Sequence, residues 1–301
     1  MNLEKKVAIV TGSGRGIGRA YARALAAAGC AVVVNDVDPD VAQTTAGEIT
    51  GAGGTAVAEV CAVGSAEAAD QLVARAVEAF GHLDIMCTNA GILRDRVLWN
   101  MTDEDFDAVI ATHLRGTFTC ARAAVRRMRE QGSGGRIVVV SSIAGQRGNF
   151  GQTNYSAAKA GIAAFARTWA MECAKHSITV NAIVPNAITR MISTIPGMAP
   201  LVEAAEQGQP LPAAVRQQMG MGTAEDVAPL LVFLSSDAAA GITGQCIGLG
   251  GDKLSLWAHP KEVSVAFREG GWTADSIADV WASSVGAQPE TYGIPFLGGT
   301  S

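Results

Sequence analysis

The fold is decided by residues 7–28, which read VAIVTGSGRGIGRAYARALAAA. Its four leading apolar residues predict a buried strand, and the pattern after the glycines predicts a helix. Between the two, Gly12, Gly16 and Gly18 allow a tight turn and a close approach of the backbone to a ligand. Free amides and the helix dipole at Ile17 favour negative charge, so the segment predicts a pyrophosphate site beside Arg15.

The rest of the chain to residue 250 repeats this alternation of strand and helix. Strands are predicted at Val7–Val10, Ala31–Val34, Thr55–Val60, Leu83–Cys87, Ile137–Val140, Ile178–Ile183 and Cys246–Leu249. Helices are predicted around 17–28, 40–50, 66–80, 103–130, 155–175 and 224–235, with Ser65 capping the third. The strands are continuously apolar, as strands covered on both faces are. The alternation therefore predicts an α/β fold, a doubly wound parallel sheet of the Rossmann type.

Composition limits the classes of function. The 301 residues suit one large domain with an appendage, and 49% of them are apolar. A net charge of -5 with only 17% charged residues leaves no basic surface for nucleic acid. We expect a Rossmann domain over residues 1–251 and an extension over 252–301.

The six cysteines are scattered, and none forms a C-x-x-C pair. Reduced thiols of a cytoplasmic protein are therefore expected, with no bound metal. The polar start leads directly into a strand, which predicts no signal peptide. No apolar run approaches the roughly 20 residues that a membrane span requires, so no membrane partner is expected.

Two segments break the alternation. Residues 190–222, here called the flap, contain four prolines and four methionines and are predicted to be a mobile cover for a large apolar ligand. The extension contains Trp257, Trp272 and Trp281, besides Tyr292 and Phe296. A disordered tail would be poor in aromatic residues, so we expect it to pack on the domain or on a neighbouring subunit.

Asp36 lies at the end of the second strand, 18 residues after Gly18. A carboxylate at that place accepts hydrogen bonds from the ribose hydroxyls of NAD and repels the 2′-phosphate of NADP. A simple turn residue before Asp38 is the alternative. Arg15 argues for NADP, because a cation in the loop could meet the phosphate, but the carboxylate conflict is the costlier one. The sequence predicts NAD.

Tyr155 and Lys159 are four residues apart on a predicted helix and therefore project from one face. A nearby ammonium is expected to lower the pKa of the tyrosine from its usual value near ~10, which would make proton exchange with an alcohol feasible. Ser142 follows a core strand at the ligand-binding edge and could hold the substrate oxygen. The alternative is a surface Tyr–Lys pair that arose by chance.

Together these motifs resemble the short-chain dehydrogenase/reductases over about residues 4–250. The resemblance rests on Thr11–Gly18, Asn89-Ala90-Gly91, Ser142 and Tyr155-x-x-x-Lys159. It implies a seven-stranded sheet, with Asn89, Ala90 and Gly91 supporting the central strand near the adenosine. It also implies that Lys159 binds the nicotinamide ribose, with Tyr155 beside it. The adenine side falls near Ala62 and Val63, and the carboxamide side falls on Pro185, Ile188 and Thr189.

The sequence departs from the family pattern in three places. The asparagine that usually completes a proton relay is replaced in Thr112–Gly116, where His113 could bridge a water to Lys159 or simply bind a backbone carbonyl. The usual acidic residue near adenine is missing around Cys61. The Pro-Gly after the sixth strand is Pro185-Asn186.

At those positions the sequence resembles the dehydrogenase part of peroxisomal multifunctional enzymes of fatty-acid β-oxidation. It also resembles bacterial single-domain relatives of that part. The residues that carry this resemblance are 89–96, 113–116, 148–152 and 185–187. It implies NAD-linked oxidation of a 3-hydroxyacyl-CoA by a homodimer or homotetramer. A hydroxysteroid or terpenoid alcohol dehydrogenase is the alternative enzyme, and a nicotinamide-sensing protein without turnover is the alternative class.

Overall fold

One mixed sheet forms the centre of the computed structural model of this protein, which describes residues 1–189 and 198–294. Its strands in those ranges are β1 (Val7–Val10), β2 (Ala31–Asp36), β3 (Thr55–Val60), β4 (Ile85–Thr88), β5 (Gly135–Val140), β6 (Ile178–Pro185), β7 (Cys246–Gly250) and β8 (Lys253–Leu256). The α-helices are α1 (Gly16–Ala27), α2 (Pro39–Gly51), α3 (Ala66–Phe80), α4 (Asp103–Val109), α5 (Gly116–Gln131), α6 (Ile143–Arg147), α7 (Thr153–Cys173), α8 (Ala199–Glu206), α9 (Ala224–Ser235) and α10 (Ala274–Trp281).

The strands lie in the order β3-β2-β1-β4-β5-β6-β7-β8. The first seven run parallel to one another, and this confirms the predicted doubly wound fold with seven parallel strands. The winding reverses direction between β1 and β4. In sheets of this kind, ligands bind in the crevice at the carboxyl ends of the strands where the reversal occurs.

The eighth strand was not predicted. Lys253–Leu256 pairs antiparallel with β7 through a tight connection at Gly251 and Asp252. Gly251 has a φ of +52°, which glycine adopts more readily than other residues. Leu254 and Leu256 remain exposed at the edge of the sheet. A four-residue strand of mixed polarity has too little pattern to be recognised from sequence, so the first residues of the extension were missed as part of the sheet.

Helices cover both faces of the sheet because successive strand residues point to opposite sides. In β1, Ala8 and Val10 enter a core cluster with α1, α2 and α9. Val7 and Ile9 enter the opposite cluster with α3, α5 and α7. All four of these strand residues are buried, which explains why the strands are continuously apolar.

The predicted helix over 103–130 is interrupted in the structure. A π-helical turn at residues 110–115 separates α4 from α5. Thr102 caps α4 by accepting the amide of Asp105, and Gly132 ends α5 in the left-handed conformation. Gly116 directly follows this turn, but the run contains no proline, and a π-turn inserts a residue without needing one. This turn contains His113.

The described part of the flap, residues 198–222, packs around its own apolar cluster. Ile188, Val202, Leu211 and Val215 are buried there. Partly buried side chains that include Met198, Met219 and Met221 pack against them. Met191, Ile192, Ile195 and Pro196, on which part of the flap prediction rests, lie outside the described residues.

The extension continues from β8 through α10 to residue 294. Trp257 packs against the cluster beneath α7, while Trp272, Trp281 and Tyr292 stay at least partly exposed. Phe296 lies outside the described residues. Packing of the extension on a neighbouring subunit therefore stays a prediction.

All six cysteines are free thiols, and five of them are buried. Their dispersal through the core agrees with the expectation of unpaired thiols. Within residues 1–189 and 198–294, no helix has the length and apolarity that crossing a bilayer demands.

Candidate active site

The glycine-rich turn joins β1 to α1 in a conformation that requires its glycines. Gly12 and Gly16 have φ values of +62° and +55°, in the left-handed region. A Cβ added at Gly18 would lie 2.1 Å from the carbonyl oxygen of Gly12. The turn can therefore close only with glycine at these positions.

The start of α1 presents backbone donors to the crevice. Its N-cap residue, Arg15, makes no side-chain hydrogen bond to the first turn. A Cβ at Gly16 would meet no heavy atom within 4 Å, whereas Ile17 packs against the core. The space next to Gly16 is open, and the uncapped amides and the positive end of the helix dipole face it. This arrangement fits the pyrophosphate of a dinucleotide.

Asp36 faces this turn from the end of β2. One carboxylate oxygen accepts the amide of Gly14 at 3.1 Å, and the other accepts the amide of Asp38 at 3.2 Å. A carboxylate has about four lone-pair positions, so two remain for ribose hydroxyls. The guanidinium of Arg15 lies 2.7 Å from the carboxylate of Asp38, which neutralises the loop cation.

Asn89, Ala90 and Gly91 follow β4 and tie it to the glycine turn. The side-chain amide of Asn89 donates to the carbonyl oxygens of Thr11 and Gly12, both at 3.0 Å. The hydroxyl of Thr11 accepts the amides of Asn89 and Ala90. The predicted support of the central strand is therefore a set of four hydrogen bonds, in which Thr11 is a partner that the sequence did not reveal.

A second support, missed from sequence, is the buried Asn35. Its side-chain amide donates to the carbonyl oxygens of Glu59 and Cys61, and its side-chain oxygen lies 3.4 Å from the amide of Gly12. Beyond β3, Ala62 is exposed and Val63 packs beneath Gly116. The predicted adenine side therefore presents a small apolar surface.

Ser142, Tyr155 and Lys159 meet at the carboxyl end of β5. Ser142 caps α6, and its hydroxyl accepts the amide of Ala144 at 3.2 Å. Tyr155 and Lys159 lie on one face of α7, with the ammonium nitrogen 5.5 Å from the centre of the tyrosine ring. Lys159 is 3% exposed and donates to the carbonyl oxygen of Val140 at 2.7 Å.

The electrostatics of this group correct the sequence prediction. Burial raises the pKa of Tyr155; a hydrogen bond from Ser142 lowers it, and the charge of Asp95 raises it further. Burial also lowers the pKa of Lys159 to about 7. The group that favours the phenolate here is the hydroxyl of Ser142, and burial favours the neutral tyrosine.

His113 lies beside these residues, in the π-turn. Its Nε2 is 3.0 Å from the amide nitrogen of Ile92 and 2.8 Å from the carbonyl oxygen of Ile92, and its ring meets that of Tyr155 edge-on at 5.2 Å. A Cβ at Gly91 would lie 2.2 Å from the imidazole. Burial and the charge of Lys159 lower the pKa of His113 to about 3, so the ring is neutral. Its Nδ1 is buried without a partner among the described residues.

Pro185 ends β6, and the chain then turns toward the flap. Asn186, in place of the usual glycine, donates from its side chain to the carbonyl oxygens of Met219 and Gly220. The amide of Ile188 donates to Gly222, and the Ile188 side chain is buried in the flap cluster. Thr189 is half-buried at the end of the described segment. Asn186 therefore joins β6 to the base of the flap.

Two loops beside the catalytic group are joined to each other. The amide of Arg96 donates to the carbonyl oxygen of Gly151 at 2.8 Å, and the side chain of Gln152 donates to Asp95 at 2.9 Å. Asp95 is also the charge that acts on Tyr155. The segment after β4 and the segment before α7 thus form one wall beside the hydroxyls of Ser142 and Tyr155.

The buried amine of Lys159 makes the stability of the protein depend on pH. Lysine titrates at 10.5 in the unfolded chain and at about 7 here, so the unfolded state binds more protons between these values. The destabilising cost is fully present below the folded pKa and disappears as pH rises toward 10.5, so stability increases across this window. In Lys159→Met this contribution is absent.

We expect urea denaturation to show the wild type gaining free energy of unfolding relative to Lys159→Met between about pH 7 and pH 10, by more than about 1 kcal/mol. The difference between the two proteins cancels the titration of the other groups. A difference that stays constant with pH would contradict the depressed pKa.

Known proteins resemble nearly the whole of this chain. The family described as enoyl-(acyl carrier protein) reductase matches residues 12–251. A 3-oxoacyl-[acyl-carrier-protein] reductase of Synechocystis sp. is 41% identical over 254 residues, which are 83% of this chain and 97% of that protein. Hydroxyacyl-CoA dehydrogenase ChsB1 of Mycobacterium tuberculosis is 41% identical over 271 residues, 86% of this chain and 81% of that protein.

Two further likenesses cover more of the chain. Peroxisomal multifunctional enzyme type 2 of Mus musculus is 38% identical over 291 residues, which are 93% of this chain and 37% of that protein. A crystal structure of a short chain dehydrogenase from Mycobacterium avium has a TM-score of 0.82 at 38% identity and covers 97% of this chain and 99% of that one. These findings confirm the resemblance carried by the sequence motifs. The chain belongs to the short-chain dehydrogenase/reductase family, oxidoreductases that use a nicotinamide cofactor.

Proposed function

We propose that this protein is an NAD-dependent dehydrogenase that interconverts a 3-hydroxyacyl-CoA and the corresponding ketone. The observation that carries the proposal is the meeting of Ser142, Tyr155 and Lys159 at the carboxyl edge of the sheet, beside the glycine turn. A secondary alcohol bound there would lie between two hydroxyl groups and the cofactor crevice.

Each of the three side chains has a role in the proposed reaction. In its phenolate form Tyr155 takes the proton of the substrate hydroxyl during oxidation, and its neutral hydroxyl, which burial favours, donates the proton during reduction. Ser142 holds the substrate oxygen with its own hydroxyl. Lys159 binds the nicotinamide ribose, and its pKa of about 7 lets it pass protons at neutral pH. The nicotinamide, when bound, accepts or delivers the hydride.

His113 serves as a positioning residue in this proposal and takes the place of the family's asparagine. Its Nε2 holds the peptide of Ile92, while its ring fixes the edge of Tyr155. Because the ring is neutral, it adds no charge beside Lys159. The unpartnered Nδ1 offers a hydrogen-bonding position from which a water could reach the lysine.

The preference for NAD rests on Asp36. Its carboxylate would meet the 2′-phosphate of NADP and repel it. The cation that might have compensated, Arg15, is paired with Asp38. The residues of this crevice therefore fit the uncharged ribose better than a phosphorylated one.

The acyl substrate is supported by the relatives and by the flap. The names of the Synechocystis, Mycobacterium tuberculosis and mouse proteins include an acyl-carrier reductase, a hydroxyacyl-CoA dehydrogenase and a peroxisomal multifunctional enzyme. Beside the crevice, Met198, Met219 and Met221 surround an apolar cluster that suits a long hydrocarbon. A buried methylene contributes about 0.8 kcal/mol, so the binding affinity would depend strongly on the length of the acyl chain.

A hydroxysteroid or terpenoid alcohol dehydrogenase is the second candidate. The methionines of the flap also favour it, because unbranched thioethers adapt to the irregular shape of fused rings. A nicotinamide-sensing protein without turnover is a third, and the assembled group of Ser142, Tyr155 and Lys159 argues against it.

We also propose that the enzyme is a cytoplasmic homo-oligomer, a dimer or tetramer. Phe165 and Trp169 stack at 4.3 Å on α7, beside the partly exposed Phe118 of α5. Aromatic side chains on one outer face suit an interface between copies of the chain. The six unpaired thiols favour a reducing compartment.

Replacement of Tyr155 by phenylalanine tests the proton path. We expect Tyr155→Phe to lose at least about 99% of kcat, since general acid–base groups contribute roughly 10²–10⁴-fold. NADH binding, measured by fluorescence titration, should change little because only the hydroxyl is removed. Retention of more than a few per cent of kcat would assign the proton transfer to another group.

Replacement of Asp36 tests the cofactor preference. The wild type should use NAD over NADP by a wide margin in kcat/KM, and Asp36→Ala should narrow that margin by roughly tenfold or more, as loss of a charged hydrogen-bond acceptor does. Asp40→Ala is the matched control and should leave the margin unchanged, because it removes an exposed carboxylate nearby and keeps the Arg15–Asp38 pair intact. Equal kcat/KM for both cofactors in the wild type would contradict the proposed preference for NAD.

One substrate panel separates the candidates. NADH formation should be measured with (R)- and (S)-3-hydroxyacyl-CoA of several lengths, hydroxysteroids, cyclic terpenols and sugar alcohols. We expect the highest kcat/KM with a long 3-hydroxyacyl-CoA. Activity confined to steroids or terpenols would replace the thioester assignment with the second candidate, and activity confined to sugars would overturn the apolar site.

A further inference from the structure

The C-terminal extension returns to the catalytic loop at one residue, Arg147. The Arg147 Nε donates to the carbonyl oxygen of Gly293 at 2.7 Å, and its terminal nitrogen donates to the hydroxyl of Thr291 at 3.0 Å. The amide of Gly293 in turn donates to the carbonyl oxygen of Arg147 at 2.7 Å. Three hydrogen bonds thus join segments that are more than 140 residues apart in sequence.

This contact lies close to the chemistry. Arg147 ends α6, and Ser142 caps the other end of that helix. Five helical residues rise about 7.5 Å along the helix axis, so one short helix separates Arg147 from Ser142. The segment after Arg147 leads through Gln152 into the helix that carries Tyr155. Movement of residues 291–294 would therefore shift the segment before α7, which forms part of the wall of the proposed substrate site.

The contact also anchors the part of the extension that follows Trp257. Among the described residues from 258 to 294, the hydrogen bonds to the rest of the chain are those made by Arg147. Tyr292, held between the two anchored residues, is 92% exposed, and Phe150 is 83% exposed three residues beyond Arg147. Two large aromatic surfaces thus stand uncovered beside the catalytic loop.

We propose that Arg147 is a specificity-determining residue that fixes residues 291–294 as an outer wall of the substrate site, against which the far end of a long acyl chain lies. This inference rests on the proposed acyl substrate. A methylene buried from water improves binding roughly fourfold, so the wall adds affinity for long chains and leaves short ones almost unaffected. The reacting carbon, held by Ser142 and Tyr155, is outside its reach.

The test compares chain lengths in variants of the contact. Arg147→Ala should raise KM for a 14-carbon 3-hydroxyacyl-CoA by roughly tenfold or more and for the 4-carbon substrate by less than about twofold, with kcat retained. Arg147→Lys keeps the charge but cannot reach two acceptors in a fork, so it should behave as the alanine variant does. Arg268→Ala, which removes an exposed cation from the same extension, should match the wild type.

Thr291 supplies a milder pair of variants in case Arg147→Ala folds poorly. Thr291→Val removes the hydroxyl acceptor at nearly constant shape and should raise KM for the 14-carbon substrate several-fold, while Thr291→Ser should restore it. An equal rise in KM at all chain lengths, or no rise in any variant, would overturn the assignment.

Hydrogen exchange of the free protein separates this inference from the proposed function. In Arg147→Ala, the amide of Gly293 should exchange at least tenfold faster than in the wild type, whatever the substrate is. Unchanged exchange would show that Arg147 does not hold the extension, and the inference fails. If the wild type oxidises only steroids, the acyl proposal fails, and KM across steroids of increasing side-chain length then decides the role of Arg147.

Discussion

The cofactor crevice depends on one close contact between backbones, that of Gly18 with the carbonyl group of Gly12. No side chain can occupy position 18 without displacing this carbonyl, which also accepts a hydrogen bond from Asn89. The contact brings the start of α1 to the end of β1, so that uncapped amides face the crevice. Asn89 and Asn35 then hold the turn from β4 and β2 on either side. The side chains of these two asparagines therefore position the backbone whose amides form the proposed pyrophosphate site.

The π-turn before α5 places His113 against Tyr155 at the carboxyl end of the sheet. An extra residue in the helix carries His113 inward, into space that a Cβ at position 91 would fill. The imidazole can then hold the Ile92 peptide and pack against the ring of Tyr155. Its neutrality matters, because a second cation beside Lys159 would depress the lysine pKa further. A local distortion of the helix therefore sets both geometry and charge.

Local patterns predicted most of the fold, since strand runs, helix stripes and the cap at Ser65 depend on neighbours in sequence. The parts that could not be predicted depend on distant partners. The sequence around Asn35 does not indicate its hydrogen bond to β3, because β3 lies beside it only in the fold. In the same way, no residue near Arg147 in sequence predicts its hydrogen bond to Gly293. The direction of the Tyr155 pKa shift could not be predicted for the same reason, because burial in the folded chain is its largest cause.

Asp36 also has a structural duty, since both of its oxygens accept backbone amides, from Gly14 and from Asp38. The proposed recognition of the ribose and the closure of the turn therefore depend on the same side chain. Evolution cannot alter the one without disturbing the other. A lineage that moved toward a phosphorylated cofactor would first have to find new acceptors for those two amides, and each must be in place before the carboxylate is lost. A substitution that removes the proposed ribose acceptor therefore also removes two hydrogen bonds from the turn.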